Sequence, residues 1–188
     1  MSPPWGEDMG NLIGNFTGFD GRLNRQPFWI SGIILAVVSI VVSLLVLPVL
    51  GLSIMPNFNF DTSASAADIA AMVNAAQSRG AWIGLVLFLV FLYPSAAICI
   101  KRRHDRNSSG LDVWIYFGIA LVYQLLTALG IGMTTADMGN GVVIPVPGPI
   151  SMVFGLVLGI YAIYLLVVLG FLKGTAGANQ YGPDPLGG

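Results

Sequence analysis

The chain of 188 residues is 55% hydrophobic and only 9% charged, with a formal net charge of −1 at pH 7. A soluble globular domain carries roughly a quarter of charged residues, so this composition indicates a membrane protein. The charge balance also argues against nucleic acid as a partner. Because Cys99 is the one cysteine, no disulfide can form within the chain.

Residues 1–27 are predicted to form an N-terminal segment that precedes the first membrane span. Its apolar side chains follow a helical stripe, at Trp5, Met9, Leu12, Ile13 and Phe16. Such a stripe predicts a short helix, which lies either in the membrane interface or against the inner face of the protein. Residues 1–21 contain no basic residue, and the first apolar run is long enough to span a membrane, so we expect no cleavable signal peptide.

Four apolar runs have the length of about 20 residues that a helix needs to cross the hydrocarbon core of a bilayer. They cover residues 28–52, 80–100, 112–133 and 150–172. Pro48 is expected to kink or end the first span, and Pro94 is expected to bend the second. Together these spans predict a transmembrane domain over residues 28–172.

The remaining segments are polar or rich in turn-forming residues. Residues 53–79 predict a surface helix outside the bilayer, capped by Thr62 or Ser65. Alternating prolines in residues 134–149 predict an extended connector, and residues 173–188 form a tail. The predicted fold is an all-α membrane protein, a four-transmembrane-helix bundle with short interfacial or extramembrane helices.

Lysine and arginine are distributed unevenly between the two sides of this topology. With four spans, both termini lie on the same side as the loop 101–111, and seven of the eight Lys and Arg residues lie there. Only Arg79 lies on the other side. Because cytoplasmic loops carry an excess of Lys and Arg, we expect both termini in the cytoplasm.

Three polar segments adjoin the ends of the spans on this side, and we expect the helices to bring them together. They are Gly21–Trp29, Lys101–Gly110 and Gly174–Pro185. They contain Gly-Arg-x-x-Arg-x-x-Phe-Trp, Lys-Arg-Arg-His-Asp and Gly-Thr-x-Gly-x-Asn-x-Tyr-Gly-Pro-Asp-Pro. As a set, these motifs resemble the three signatures of YhaH-like bacterial inner-membrane proteins, the family catalogued as domain of unknown function 805.

The resemblance extends from about Asn15 to Pro185. It implies a small multi-pass protein of the bacterial cytoplasmic membrane, without a settled activity. The matching positions are Gly21, Arg22, Arg25, Trp29, Arg102, His104, Asp105, Gly174, Gly177, Asn179, Gly182, Asp184 and Pro185. Lys101 stands where the family typically has a second arginine, and Leu111-Asp112 stands where it often has aromatic residues.

The candidate binding residues are mostly basic. They are Arg22, Arg25, Lys101, Arg102, Arg103, His104, Asp105, Asn179 and Asp184. The cations either hold the topology and pair with anionic headgroups, or form a pocket that grips a phosphate through guanidinium forks. Asp105 is expected to pair with an arginine of another segment and to join the cytoplasmic ends of the helices.

Few residues point to catalysis. His104 offers a general acid or base, but no nucleophile is evident, and a single His beside a single Cys is a poor metal set. We therefore predict no catalytic residue, no metal and no cofactor. The chain is expected to be a non-enzymatic module whose basic cytoplasmic face binds anionic lipid or a protein partner; the alternatives are a small transporter or channel component, or a lipid-headgroup enzyme that uses His104.

The transporter alternative depends on polar residues near mid-membrane. The spans carry no charge except Asp112 at a rim, which argues against ion-coupled transport. The candidates are Tyr123, Gln124, Tyr161 and Tyr164, and these side chains either line a polar path or form hydrogen bonds between helices. The small-residue step from Gly155 to Gly159 would let the fourth span approach a neighbour, in the same chain or in a second copy.

Overall fold

The computed structural model describes residues 12–52, 65–139 and 141–186, and the following statements concern these residues. Four helices are long and apolar enough to cross a membrane. They are α1 (Arg25–Val49), α2 (Ala66–His104), α3 (Leu111–Ala128) and α4 (Pro149–Phe171). The predicted mainly helical chain with four helices of spanning length is therefore confirmed. Trp5, Met9 and Thr62 lie outside the described residues.

Helix α1 ends at the proline that the sequence marks as its breaking point. It is α-helical over Arg25–Val41, forms a π-helical turn over Val42–Val46, and closes with Leu47–Val49. The wide turn lies directly before Pro48, whose missing N–H prevents regular α-helical bonding there. Gly51 then adopts a φ of 72°, which ends the helix.

Helix α2 joins two elements that were predicted to be separate. Its N-terminus is capped by Ser65, whose Oγ accepts the Asp68 N–H at 3.2 Å. From there it continues without a break for 39 residues, and Pro94 lies inside it. The predicted surface helix is thus the first part of the same helix as the second span. At 1.5 Å per residue the helix is about 58 Å long, so it extends well beyond a hydrocarbon core of roughly 30 Å.

Helix α3 is shorter than predicted, since it ends at Ala128 rather than at Met133. Gly130 and Gly132 have φ values of 71° and 84°, which a right-handed helix cannot contain. The Ile131 N–H closes the helix end by donating to the Leu126 carbonyl at 2.8 Å. The glycines therefore turn the chain into the segment that follows.

That segment adds a small hairpin, which the all-α prediction did not include, to the mainly helical chain. The connector forms two antiparallel strands, β1 (Met133–Asp137) and β2 (Val143–Pro147), with Met133 opposite Pro147. The predicted extended backbone is present, but it is paired as a hairpin. Pro145 and Pro147 occupy alternate positions of β2, so their missing N–H groups fall on one edge, while the opposite edge can pair with β1.

Helix α4 is α-helical over Pro149–Leu165 and π-helical over Leu166–Phe171. The chain divides into two compact units. The first contains described residues 12–39, 89–118 and 160–186. Its apolar core consists of Ala96, Ile100, Val113, Leu165, Val168 and Leu169.

The second unit contains the hairpin and the helical segments that adjoin it, within residues 40–88 and 119–159. Gly148 donates its N–H to the Gly132 carbonyl at 2.9 Å, and Ser151 Oγ donates to the same oxygen at 2.8 Å. A Cβ at Gly148 would lie 2.7 Å from that oxygen, so the close approach requires glycine.

Candidate functional site

The three polar segments lie in contact within the first unit. We call residues 21–29, 101–110 and 174–185 the three-segment cluster. The Leu23 N–H donates to the Lys101 carbonyl at 3.1 Å, and the Thr175 N–H donates to the Asp105 carbonyl at 2.8 Å. These backbone bonds connect the chain before α1, the end of α2 and the chain after α4.

Asp105 is the electrostatic centre of the cluster. Its Oδ1 accepts Arg22 Nε at 3.2 Å and Arg22 Nη2 at 3.1 Å, and its Oδ2 accepts Arg102 Nη1. The side chains of Arg22, Arg102 and Asp105 are 1%, 0% and 6% exposed. Asp105 therefore pairs with an arginine of another segment, as the sequence led us to expect. A buried carboxylate between two guanidinium groups joins all three segments.

The Arg22 side chain is fully occupied by partners within the chain. A guanidinium group has five N–H donors, and two of those of Arg22 bind Asp105. The others donate to the carbonyls of Thr175 at 2.7 Å, Gly177 at 2.6 Å and Gly182 at 3.4 Å. Arg22 thus holds the C-terminal tail and has no donor left for a ligand.

Three arginines and a tryptophan donate hydrogen bonds to the carbonyls at the C-terminal end of α4. The last carbonyls of a helix have no partner within it, and here each of five successive carbonyls receives a side-chain donor. The carbonyls are those of Val168, Leu169, Gly170, Phe171 and Leu172, and the donors come from Arg106, Arg102, Trp29, Arg25 and again Arg102. Cations at this position also complement the negative end of the helix dipole.

The His104 side chain is enclosed and held in place by neighbouring residues and is not open to a substrate. Its Nδ1 lies 3.2 Å from the Gly21 carbonyl, and its ring stacks on Tyr181 with centroids 3.8 Å apart. Since a carbonyl oxygen only accepts, Nδ1 carries the proton. Asn179 Nδ2 donates to the His104 carbonyl at 2.9 Å. Both predicted residues therefore fasten the tail to the end of α2.

Two further cations of the loop also have partners. Lys101 Nζ donates to the carbonyls of Gly14 and of Thr17, the latter at 2.8 Å, so it closes the helical residues 12–16. Arg103 Nε donates to Asp112 Oδ1 at 3.0 Å, an ion pair between α2 and α3. The basic residues 101–106, which the structure places in the last turn of α2 and just after it rather than in a loop, thus mainly hold segments of the chain together.

Asp184 organises the turn of the tail. One carboxylate oxygen accepts the Gly177 N–H at 2.8 Å, and the other accepts the Leu186 N–H at 2.9 Å. The hydrogen bonds from Leu186 and Gly177 to the charged form lower the pKa of Asp184 below its usual value. The carboxylate therefore stays ionised in the folded tail and holds the turn closed.

A surface concavity of about 300 Å³ lies beside this network, lined by Asn24, Arg25, Asp105, Lys173, Gly174, Thr175, Ala176, Asp184 and Leu186. Arg25 and Lys173 are exposed. Arg25 donates one hydrogen bond, to the Phe171 carbonyl at 3.4 Å, and Lys173 makes no ion pair or side-chain hydrogen bond to the described part of the chain. Lys173 is not among the binding residues predicted from the sequence; its position directly after the apolar run 150–172 was the available signal.

The four polar residues predicted near mid-membrane have different neighbours. In the first unit, the hydroxyls of Tyr161 and Tyr164 donate to the Asp112 carbonyl at 2.7 Å and to its Oδ2 at 3.2 Å. In the second unit, the Tyr123 ring stacks on Phe154, while Gln124 Nε2 lies 3.8 Å from the position of a Cβ on Gly84.

Within the described residues, no group of three or more His, Cys, Asp or Glu side chains is placed to hold a metal ion. Gly155 and Gly159 are not used in close packing there, since a Cβ at either position would have nothing within 4 Å.

Comparison with known proteins agrees with the three motifs. The sequence model of the family described as "Protein of unknown function (DUF805)" matches residues 16–183, which confirms the resemblance. The chain is 33% identical over 94 residues to the "Uncharacterized protein YiiR" of Escherichia coli K12 and of Escherichia coli O157:H7. The match covers 50% of this chain and 53% of each relative, so it spans about half their length. No solved structure matches.

Proposed function

The chain belongs to the DUF805 family, and from the geometry of the three-segment cluster we propose that it is a non-enzymatic, multi-pass module of the bacterial cytoplasmic membrane that binds an anionic partner. Both termini and the cluster lie in the cytoplasm in this proposal, and the four helices form a transmembrane bundle. The partner is an anionic lipid or an acidic surface of a membrane protein.

The observation that carries the proposal is the division of the cations into two groups. Arg22, Lys101 and Arg102 are buried and donate to carbonyls and to Asp105, so they build the surface without being available to a partner. Arg25 and Lys173 remain exposed beside the concavity. Two exposed cations on a network of buried hydrogen bonds suit the binding of an anion better than they suit catalysis.

Net charge supports the same proposal. Over residues 1–39, 89–118 and 160–188, the sequence of the first unit has seven Lys and Arg side chains against six Asp and Glu side chains, a local excess of one positive charge. The second unit lacks such an excess, since Arg79 is its one described cation beside Asp68 and Asp137. Each Lys or Arg near an anionic membrane surface contributes about 1 kcal/mol of attraction.

The environment of His104 supports a non-enzymatic role. Its ring is covered on one face by Tyr181, and its Nδ1 proton is directed at the Gly21 carbonyl. A general base must reach the proton that it removes, and a ring held in this way is poorly placed to do so.

The proposal is tested by gentle detergent extraction of the wild-type protein from bacterial membranes, followed by native mass spectrometry. We expect anionic lipid or a protein partner to be retained above its share of the bulk membrane, and to be released by high salt because the attraction is electrostatic. Retention that only mirrors bulk membrane composition, unchanged by salt, would refute the proposal.

Orientation is tested separately by labelling single cysteines in a Cys99→Ser background. Gln180→Cys reports on the tail and Asn74→Cys on the first part of α2, and both positions are exposed. In intact spheroplasts, a membrane-impermeant maleimide should label Asn74→Cys and leave Gln180→Cys unlabelled until the membrane is permeabilised. The reverse pattern would overturn the proposed orientation.

A further inference from the structure

At the ends of α1 and α4 that flank the concavity, cations and aromatic side chains lie at different depths along the helices. Arg25 is the first residue of the apolar helix α1, and Lys173 lies two residues beyond Phe171, where the apolar helix α4 ends. In a bilayer, cations at the ends of spans lie near the level of the lipid phosphates. Both available cations therefore lie beside the three-segment cluster, one at the N-terminus of α1 and one just after the C-terminus of α4, at the boundary between apolar and polar sequence.

An exposed aromatic pair lies directly inside this boundary. Trp29 is one turn into α1 and 39% exposed, and Phe171 is 60% exposed. Their ring centroids lie 5.9 Å apart, and Trp29 Nε1 donates to the Gly170 carbonyl at 3.1 Å. This hydrogen bond fixes the indole, so the pair presents an ordered apolar surface next to the cations.

The carboxylates that line the concavity cancel only part of this positive charge. The charge of Asp105 is balanced by Arg22 and Arg102. Asp184 stays ionised, with each oxygen accepting a backbone N–H, so Arg25 and Lys173 leave one positive charge in excess there. Polar groups of Asn24 and Thr175 complete the lining. The arrangement matches a ligand with a negative head and an apolar body.

We infer that the concavity binds the phosphate group of an anionic phospholipid between Arg25 and Lys173, with the adjoining acyl chain against Trp29 and Phe171. This inference rests on the proposed function and deepens it by choosing lipid over protein as the partner. Lys173 contributes a mobile point charge and Arg25 contributes guanidinium N–H groups, a combination that suits a phosphate oxygen cluster.

The experiment uses the purified full-length protein with equal amounts of phosphatidylglycerol and phosphatidylcholine, and native mass spectrometry to measure the retained lipids. We expect the wild type to prefer phosphatidylglycerol, and Arg25→Gln combined with Lys173→Gln to lower that preference roughly thirtyfold, since each charge near an anionic lipid contributes a factor of about five. Arg79→Gln removes one exposed cation of the second unit and should leave the preference for phosphatidylglycerol unchanged. Arg25→Lys should retain most of it.

These variants are expected to fold, because Arg25 gives up one long hydrogen bond and Lys173 gives up none within the described residues. A double variant that keeps the wild-type preference would overturn the inference while leaving the proposed function intact. A wild type without a preference for phosphatidylglycerol would also overturn the inference. Retention of a protein partner in the membrane extraction would then still support the proposed function. If free glycerol 3-phosphate displaces the lipid at equal concentration, the ligand is a soluble phosphate compound, and the lipid assignment is wrong.

Discussion

Replacement of Asp105 by alanine should be among the most damaging single changes in the chain. The substitution removes three hydrogen bonds, two from Arg22 and one from Arg102. It leaves two guanidinium groups buried, with side chains 1% and 0% exposed, and without their counter-charge. Breaking a buried ion pair by removing one partner costs about 3–5 kcal/mol.

The carbonyl groups that the two arginines still bind place the expected cost in the lower part of this range. Arg22 keeps its bonds to three carbonyls of the tail, and Arg102 keeps those to Leu23, Leu169 and Leu172. These oxygens still solvate the charges partly. We therefore expect Asp105→Ala to lower the free energy of unfolding by about 3 kcal/mol or more, and Asp105→Asn, which keeps one acceptor oxygen, to have an intermediate effect.

The assay is unfolding by titration with sodium dodecyl sulfate in mixed micelles, followed by tryptophan fluorescence. Asp20→Ala is the matched control, because it removes the same charge from an exposed position close to the cluster, and it should stay within about 0.5 kcal/mol of the wild type. If Asp105→Ala were as stable as Asp20→Ala, the cluster would not depend on its buried ion pairs, and the reasoning above would be refuted.

Two further predictions concern the tail. Gly174→Ala should lower the unfolding free energy by about 1–3 kcal/mol in the same titration, because its Cβ would lie 2.9 Å from Asp105 Oδ1 and closer still to Oδ2. Gly159→Ala, whose Cβ meets nothing within 4 Å, should not lower it. The lowered pKa of Asp184 means that its contribution to stability is complete above the unfolded pKa of about 3.9 and is lost as pH falls through the folded value. The protection factor of the Gly177 amide, the ratio of its intrinsic to its observed hydrogen-exchange rate at each pH, should therefore fall in acid. A wild-type protection factor that does not change on acidification, or the same fall in Asp184→Asn, would contradict this.

The helices could be read from the sequence because their determinants are local. In an apolar environment, a single uncharged run such as residues 28–52 can bond its backbone N–H groups within the segment only as a helix. The cap at Ser65 and the break beside Pro48 likewise depend on a few neighbouring residues. The limits of the prediction appear where two signals compete, as at Gly130 and Gly132, which end α3 before the apolar run is finished.

The hairpin shows a different limit. Alternating prolines in residues 143–147 correctly predict extended backbone, but pairing with residues 133–137 depends on a second strand and a register. Periodicity within one strand carries no information about its partner. The second strand therefore could not be distinguished from an unpaired connector.

The sequence alone determined the number of helices long and apolar enough to cross a membrane, the family and the expected convergence of the three polar segments, because length, hydropathy and motif order are properties of the chain itself. Only the tertiary structure decided which cations are available. Arg22 and Arg25 look alike in the motif, yet Arg22 donates five hydrogen bonds to four acceptor oxygens and Arg25 donates one. The reason is that a carbonyl left open at the end of α4, or a buried carboxylate such as that of Asp105, becomes a partner only when distant segments are folded together.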